Sequence, residues 1–207
     1  MAVKEMQNVR KMSDVSWVRV YHAYFQAMVV EELPRIARRA FGDDAGFAVV
    51  ASIVEKGAMR GFGVLLEEAT KAGLPLEKIG LEELLRYEVA CHRHAVEEMG
   101  VPFQVFEEAK KLDENRYALE TRKCIYAELA KENPVACGVC VGLTTGILKR
   151  FGIKAQWVRS PQRKRLLCRT PNPPDYVVYR DPGVEFPACR IVIEKLDCSN
   201  EQVDGKA

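Results

Sequence analysis

The sequence predicts an α+β fold in which N-terminal helices pack on an antiparallel sheet, in the order helices, β-hairpin, helix, strands. Three observations predict it. The first half carries apolar residues at helical spacing. From residue 103 the pattern changes to short strand-like runs separated by polar or proline-rich turns. One capped helix, "NPVACGVCVGLTTGILKRFG" at 133–152, interrupts those runs.

The helical half reads as three segments. "DVSWVRVYHAYFQAMVVEELPRIARRAFG" places Val18, Tyr21, Phe25 and Met28 at helical spacing, with Pro34 marking a break or a new start. In the second segment Phe47, Val50, Val54, Gly57, Gly61 and Leu65 form one stripe. Asp43 or Asp44 can cap its start and Gly73 its end. "LEELLRYEVACHRHAVEEMG" is the third, ending at Gly100 with Pro102 beyond.

The second half begins with "FQVFEEAKKLDENRYALETRKC", two strands around a polar turn at 113–115. The helix at 133–152 follows, with Asn133 as N-cap and Pro134 at its first position. "IKAQWVRS", "RLLCR", "YVVYR" and "ACRIVIEKL" complete the strands. The organisation expected is a helical part, 1–100, an α+β part, 101–198, forming one compact domain with it, and a frayed tail, 199–207.

With 31 basic and 29 acidic residues in 207, the charge is nearly balanced. Nothing global points to nucleic acid or an anionic membrane as partner. The basic run "VRSPQRKRLLCR" holds no aromatic residue and reads as a solvated edge that discourages strand pairing. No apolar run reaches the ~18 residues of a membrane span, and the first residues carry no apolar signal core. The expectation is a cytoplasmic chain. Its seven cysteines are an odd number, which in a reducing compartment argues against a disulfide framework.

Gly138, Gly142 and Gly146 fall at i, i+4 and i+8 and line one helix stripe, where each costs about 1 kcal/mol of propensity relative to alanine. Such a column calls for close approach of another backbone or a ligand. Packing against the sheet, or against the helix bearing Gly57 and Gly61, is the favoured explanation. Cys137 and Cys140 share a face at the positive end of the same helix, a place that favours thiolates. Cys124 closes the preceding strand, so C-x₁₂-C-x₂-C offers three soft metal ligands. The fourth could come from Cys189, Cys168 or the "CHRH" run, where Cys91 and His94 share a face and His92 points elsewhere. A nucleophilic cysteine competes with the metal reading. It needs a base, and His22, His92 and His94 all lie in the helical half.

Residues 117–196 resemble the 4-vinyl reductase domain family. The resemblance is carried by a cysteine at the start of a glycine-containing helix, Cys137 or Cys140 with Gly142 and Gly146. It is carried further by a cysteine opening the last strand, Cys189 in "FPACRIVI". It implies a fold akin to the transport-particle subunits and a small-molecule ligand, often a hydrocarbon or aromatic compound. It also implies a structural zinc through the helix-start cysteine and Cys189, and with Cys124 from the spacing the metal set adopted is Cys124, Cys137, Cys140 and Cys189, holding zinc or else iron. "TRKCIYAELAKENPVACGVC" with "FPACRI" is also similar to the L-2-amino-thiazoline-4-carboxylic acid hydrolase group, which implies ring-opening hydrolysis. A third class, a homodimeric scaffold of the transport-particle kind, would use the face bearing Trp17, Tyr21 and Phe25. The reading adopted is a ligand-binding domain with an apolar pocket between helices and sheet.

Overall fold

The computed structural model describes residues 13–73, 76, 79–101 and 105–199, with the side chains of Val15 and Trp17 outside the description. Helix α1 spans Asp14–Phe25 and starts at Ser13, whose hydroxyl accepts the Ser16 amide. A π-helical stretch, Gln26–Glu32, connects it to α2, Leu33–Lys71. A new α-helix thus starts at Leu33 with Pro34 in its first turn, while the helical path continues without a break through the π-helical stretch. Proline has no N–H and its ring crowds the carbonyl four residues back, so the ladder ahead of it is displaced. The Leu33 amide accordingly bonds to the Met28 carbonyl, five residues back.

The real interruption in α2 is Gly42, at φ 73°, a left-handed conformation that glycine adopts without strain. Asp43 and Asp44 follow the kink. They work there as ion-pair partners, Asp43 with Arg38 and Asp44 with Arg159 and Arg163. The helix ends at Gly73, again with positive φ. Helix α3, Leu81–Glu97, buries Leu84, Leu85, Glu88 and Val89 and is followed by Gly100 with positive φ.

Strands β1, Glu108–Lys111, and β2, Arg116–Thr121, form the expected hairpin. Its turn is held by the Asp113 carboxylate, which accepts the Asn115 amide. The hairpin starts later than the sequence pattern suggests, and 102–104 lie outside the described residues. Short helix α4, Ala127–Glu132, leads to Asn133, whose side chain accepts the Val135 amide. Helix α5, Cys137–Arg150, then runs across the sheet. Strands β3, Ala155–Trp157, β4, Tyr176–Arg180, and β5, Cys189–Lys195, complete it.

The strand order is β1-β2-β5-β4-β3. All pairs are antiparallel except β3 with β4, so the sheet is mixed rather than purely antiparallel. "RLLCR" is not a strand. Residues Pro161–Arg169 form a 3₁₀ helix that carries the chain from β3 to its parallel neighbour β4. The basic run is solvated, with no buried residue in the 3₁₀ helix, and it is also held in place by ion pairs. Arg159 and Arg163 reach Asp44, and Lys164 meets Glu194 at 2.5 Å, so the run clamps the 3₁₀ helix onto α2 and β5.

Cys189, Ile191 and Ile193 of β5 face α2 and α5 in the main core, with Val178 and Leu119 beside them. Val192 points the other way, into a small second core with Val158, Val177 and Tyr179, against which Leu167 of the 3₁₀ helix packs. A disulfide, Cys168–Cys198, ties that helix to the segment after β5. The chain is thus anchored as far as Cys198, and 200–207 lie outside the described residues. No helix among the described residues is long and apolar enough to cross a membrane.

Candidate functional site

The glycine column faces helix α2. A β-carbon at Gly138 would meet the Phe47 carbonyl oxygen at 3.1 Å, one at Gly142 the Ala51 oxygen at 2.4 Å, and one at Gly146 the Glu55 oxygen at 2.4 Å. Phe47, Ala51 and Glu55 are themselves four apart, so two rows of i, i+4, i+8 lie against each other. This is backbone-on-backbone packing, not a ligand surface. Gly57 and Gly61 take no part in it: both face open space, because the buried stripe of α2 runs through Val50, Ala51, Val54 and Ala58 instead. At the far end Lys149 pairs with Glu55 at 2.6 Å and closes the seam.

This tight seam fixes the start of α5 over one end of the sheet. There Thr121 of β2 pairs with Cys189 of β5. The chain leaving β2 turns back across β5, and the Cys124 amide donates to the Pro187 carbonyl at 2.6 Å. Cys124 and Cys189, 65 positions apart in sequence, are hydrogen-bonded thiol to thiol. Cys137 and Cys140, from the first turn of α5, lie close enough to interact electrostatically with Cys189. Four cysteines from three separate stretches of chain therefore meet at one helix end.

Their electrostatics differ from what the helix terminus alone suggests. Burial dominates at Cys137, whose thiol is pushed up to about 12, and at Cys140, which is raised well above its ordinary value. The charged form of Cys189 is favoured instead. Hydrogen bonding from Cys124 draws it down to about 7, against the opposing cost of burial, and the Arg180 guanidinium adds to the effect. Cys124, the donor to that sulfur, is raised correspondingly.

Arg180 ends β4 and was not singled out by sequence. Its guanidinium lies 4.2 Å from the centroid of the Phe186 ring and donates to the Val184 carbonyl. Its Nε is buried with no partner among the described residues. Glu88 of α3 was missed as well. It is 1% exposed, neither carboxylate oxygen has a partner among the described residues, and its charge would raise the Cys140 thiol. Burial pushes its own carboxyl up to about 8, so it is held neutral at pH 7. Helical spacing could have flagged it, since Glu88 stands one turn beyond the apolar pair Leu84 and Leu85.

The other candidate ligands stand elsewhere. Cys168 is bonded to Cys198. Cys91 hydrogen-bonds with Tyr87. His92 lies edge-on to Phe106 at 5.8 Å between centroids, and burial lowers it to about 4. His94 is exposed. Among the described residues no group of three or more His, Cys, Asp or Glu side chains is arranged to hold a metal ion as placed.

Two cavities bear on function. One, of about 630 Å³, is lined by Cys189 with Ala188, Val184, Arg93, Thr121 and Arg122. The other is a groove of about 760 Å³ at the opposite end of α5, lined by Met59, Ile153, Ala155, Leu167, Pro173 and Pro174. Lys149, which bonds to Gln156 as well as Glu55, supplies a charge at its rim. The apolar space is thus an open groove at the edge of the layers, and the interface between helices and sheet is a packed core.

No protein-family model matches this chain, and neither does any curated protein.

Proposed function

We propose that this chain binds a small apolar or aromatic molecule in the groove between α2, the α5–β3 turn and the 3₁₀ helix. One observation carries the reading. A space of about 760 Å³ is walled by methionine, isoleucine, leucine and proline side chains, with the Lys149–Glu55–Gln156 cluster at one side. Lys154, Thr170 and Asn172 also line it, and that size and mixture of apolar wall with polar groups suit a small organic ligand. Indole and naphthalene are direct probes. At about 100 times Kd such a ligand adds about 2.7 kcal/mol of stability, which in a chain of this size is a rise of roughly 5–10 °C in Tm. Met59→Trp fills the groove from a half-exposed helix face and should abolish the shift while leaving the unliganded Tm nearly unchanged. An equal shift in both proteins would place the ligand elsewhere.

Zinc or iron on Cys124, Cys137, Cys140 and Cys189 is the cofactor proposed with this reading. Four soft donors suit such a metal by their chemistry. As placed they do not form its ligand shell, so no part of the ligand reading depends on it. A second reading, thiol-dependent hydrolysis of the thiazoline-carboxylate type, is favoured by Cys189 being among the residues that line a cavity. It predicts turnover that alkylation abolishes. A homodimer is proposed through the exposed side chains of Tyr21, Tyr24, Phe25 and Met28, which recur at helical spacing.

A further inference from the structure

We propose that Cys124 and Cys189 form an oxidisable dithiol, in which Cys189 takes oxygen from a hydroperoxide and Cys124 resolves the product as a disulfide. The inference is independent of the groove and concerns the metal-free chain, since the proposed metal would use the same two sulfurs.

Four features carry it. The two thiols are already hydrogen-bonded to each other, so closing a bond between them needs only a small movement of sulfur. Strand pairing and the Cys124–Pro187 backbone bond hold both ends of that contact in register. Cys189 also lines a cavity of about 630 Å³, which gives a small oxidant a way to a residue otherwise only 7% exposed. Beside it stands Arg180, whose guanidinium hydrogen-bonds the Cys189 sulfur. A fixed cation at this position stabilises negative charge on the attacking sulfur, the arrangement that distinguishes reactive from inert buried cysteines.

The chemistry balances in two steps. The Cys189 sulfur attacks the terminal oxygen of ROOH, the O–O bond breaks, and Cys189 sulfenic acid and ROH are formed. The Cys124 sulfur then attacks the sulfenic sulfur, the S–O bond breaks, and the hydroxyl leaves as water with the Cys124 proton. Two thiols have lost two electrons and one hydroperoxide has gained them.

The test uses the full chain, reduced, freed of metal by a chelator and desalted, then pulsed with hydrogen peroxide. Remaining thiols are alkylated and the protein is digested without reductant for mass spectrometry. The expected product is a cross-linked peptide pair joining Cys124 to Cys189. In Cys124→Ser the Cys189 sulfenic acid should persist and be trapped by dimedone. Arg180→Gln should slow the loss of alkylatable Cys189 by about tenfold or more. The proposal is overturned if Cys124 and Cys189 both remain alkylatable after the pulse while Cys168–Cys198 has re-formed. A dominant cross-link from Cys189 to Cys137 or Cys140 overturns it as well.

Discussion

A β-carbon added to Gly142 would stand 2.4 Å from the carbonyl oxygen of Ala51, with the Ala51 Cα only 3.0 Å away. No side chain can yield there, because the obstacle is backbone. The stripe that looked like wasted helix propensity is what allows α5 to lie directly on α2. That contact sets where the cysteine-bearing end of α5 sits.

Substitution by alanine should therefore rank by clearance. Gly142→Ala and Gly146→Ala gain about 1 kcal/mol of propensity and lose about 1–3 kcal/mol to overpacking, for a net loss of stability. Gly138→Ala, with 3.1 Å to the nearest atom, should be near neutral. Gly57→Ala faces open space and should stabilise. Chemical denaturation of the four variants measures the order, and a stabilised Gly142→Ala would contradict the packing.

Glu88 predicts a pH dependence. Burial raises its folded carboxyl to about 8, against an ordinary value of 4.5. Between those values the unfolded chain gives up the proton and the folded chain keeps it, so stability is fully present below about 4.5 and falls as pH rises through about 8. The loss is on the order of 3–5 kcal/mol as an upper bound. Glu88→Gln should flatten that part of the profile and exceed the native protein in stability at pH 9. Parallel profiles for the two proteins would mean that Glu88 ionises freely in the fold.

Cys168–Cys198 closes a loop of 30 residues. Constraint of the unfolded chain at that length is worth about 3–4 kcal/mol. Cys198→Ser should lose stability of that order, measured without reductant, and dithiothreitol should bring the native protein down to the same level. Equal stability of the oxidised native protein and Cys198→Ser would mean that the bridge does not form.

The proposed metal has its own check. Protein purified without chelator should carry about one zinc or iron per chain. Elemental analysis below roughly a tenth of an equivalent in folded protein would remove the metal from the account. Cys189→Ser should lower any metal content, whereas Cys91→Ser should not.

The parts of the fold that were legible in sequence are those set by local chemistry. Asn133 and Pro134 mark the start of α5, the polar residues at 113–115 mark the hairpin, and Gly73 and Gly100 mark helix ends. Leu166 and Leu167 within an arginine-rich run look like strand, yet the conformation there is decided by distant partners, Asp44 and Glu194. The direction of β3 depends on where the 3₁₀ crossover returns, which no local pattern encodes. The same limit applies to the cysteines. Cys124, Cys137 and Cys140 are close along the chain and could be grouped, whereas the contact of Cys189 with Cys124 follows from the β2–β5 register. Arg180 carries no local signal at all, since its place beside Cys189 comes from β4 lying next to β5.

The central claim is that the groove beside Met59 and Ile153 holds a small apolar ligand, and titration calorimetry with indole tests it most directly. The account predicts saturable binding at one site per chain with a negative heat-capacity change, the mark of apolar burial, and loss of that binding in Met59→Trp. Absence of heat at several temperatures, or undiminished binding in Met59→Trp, would contradict it.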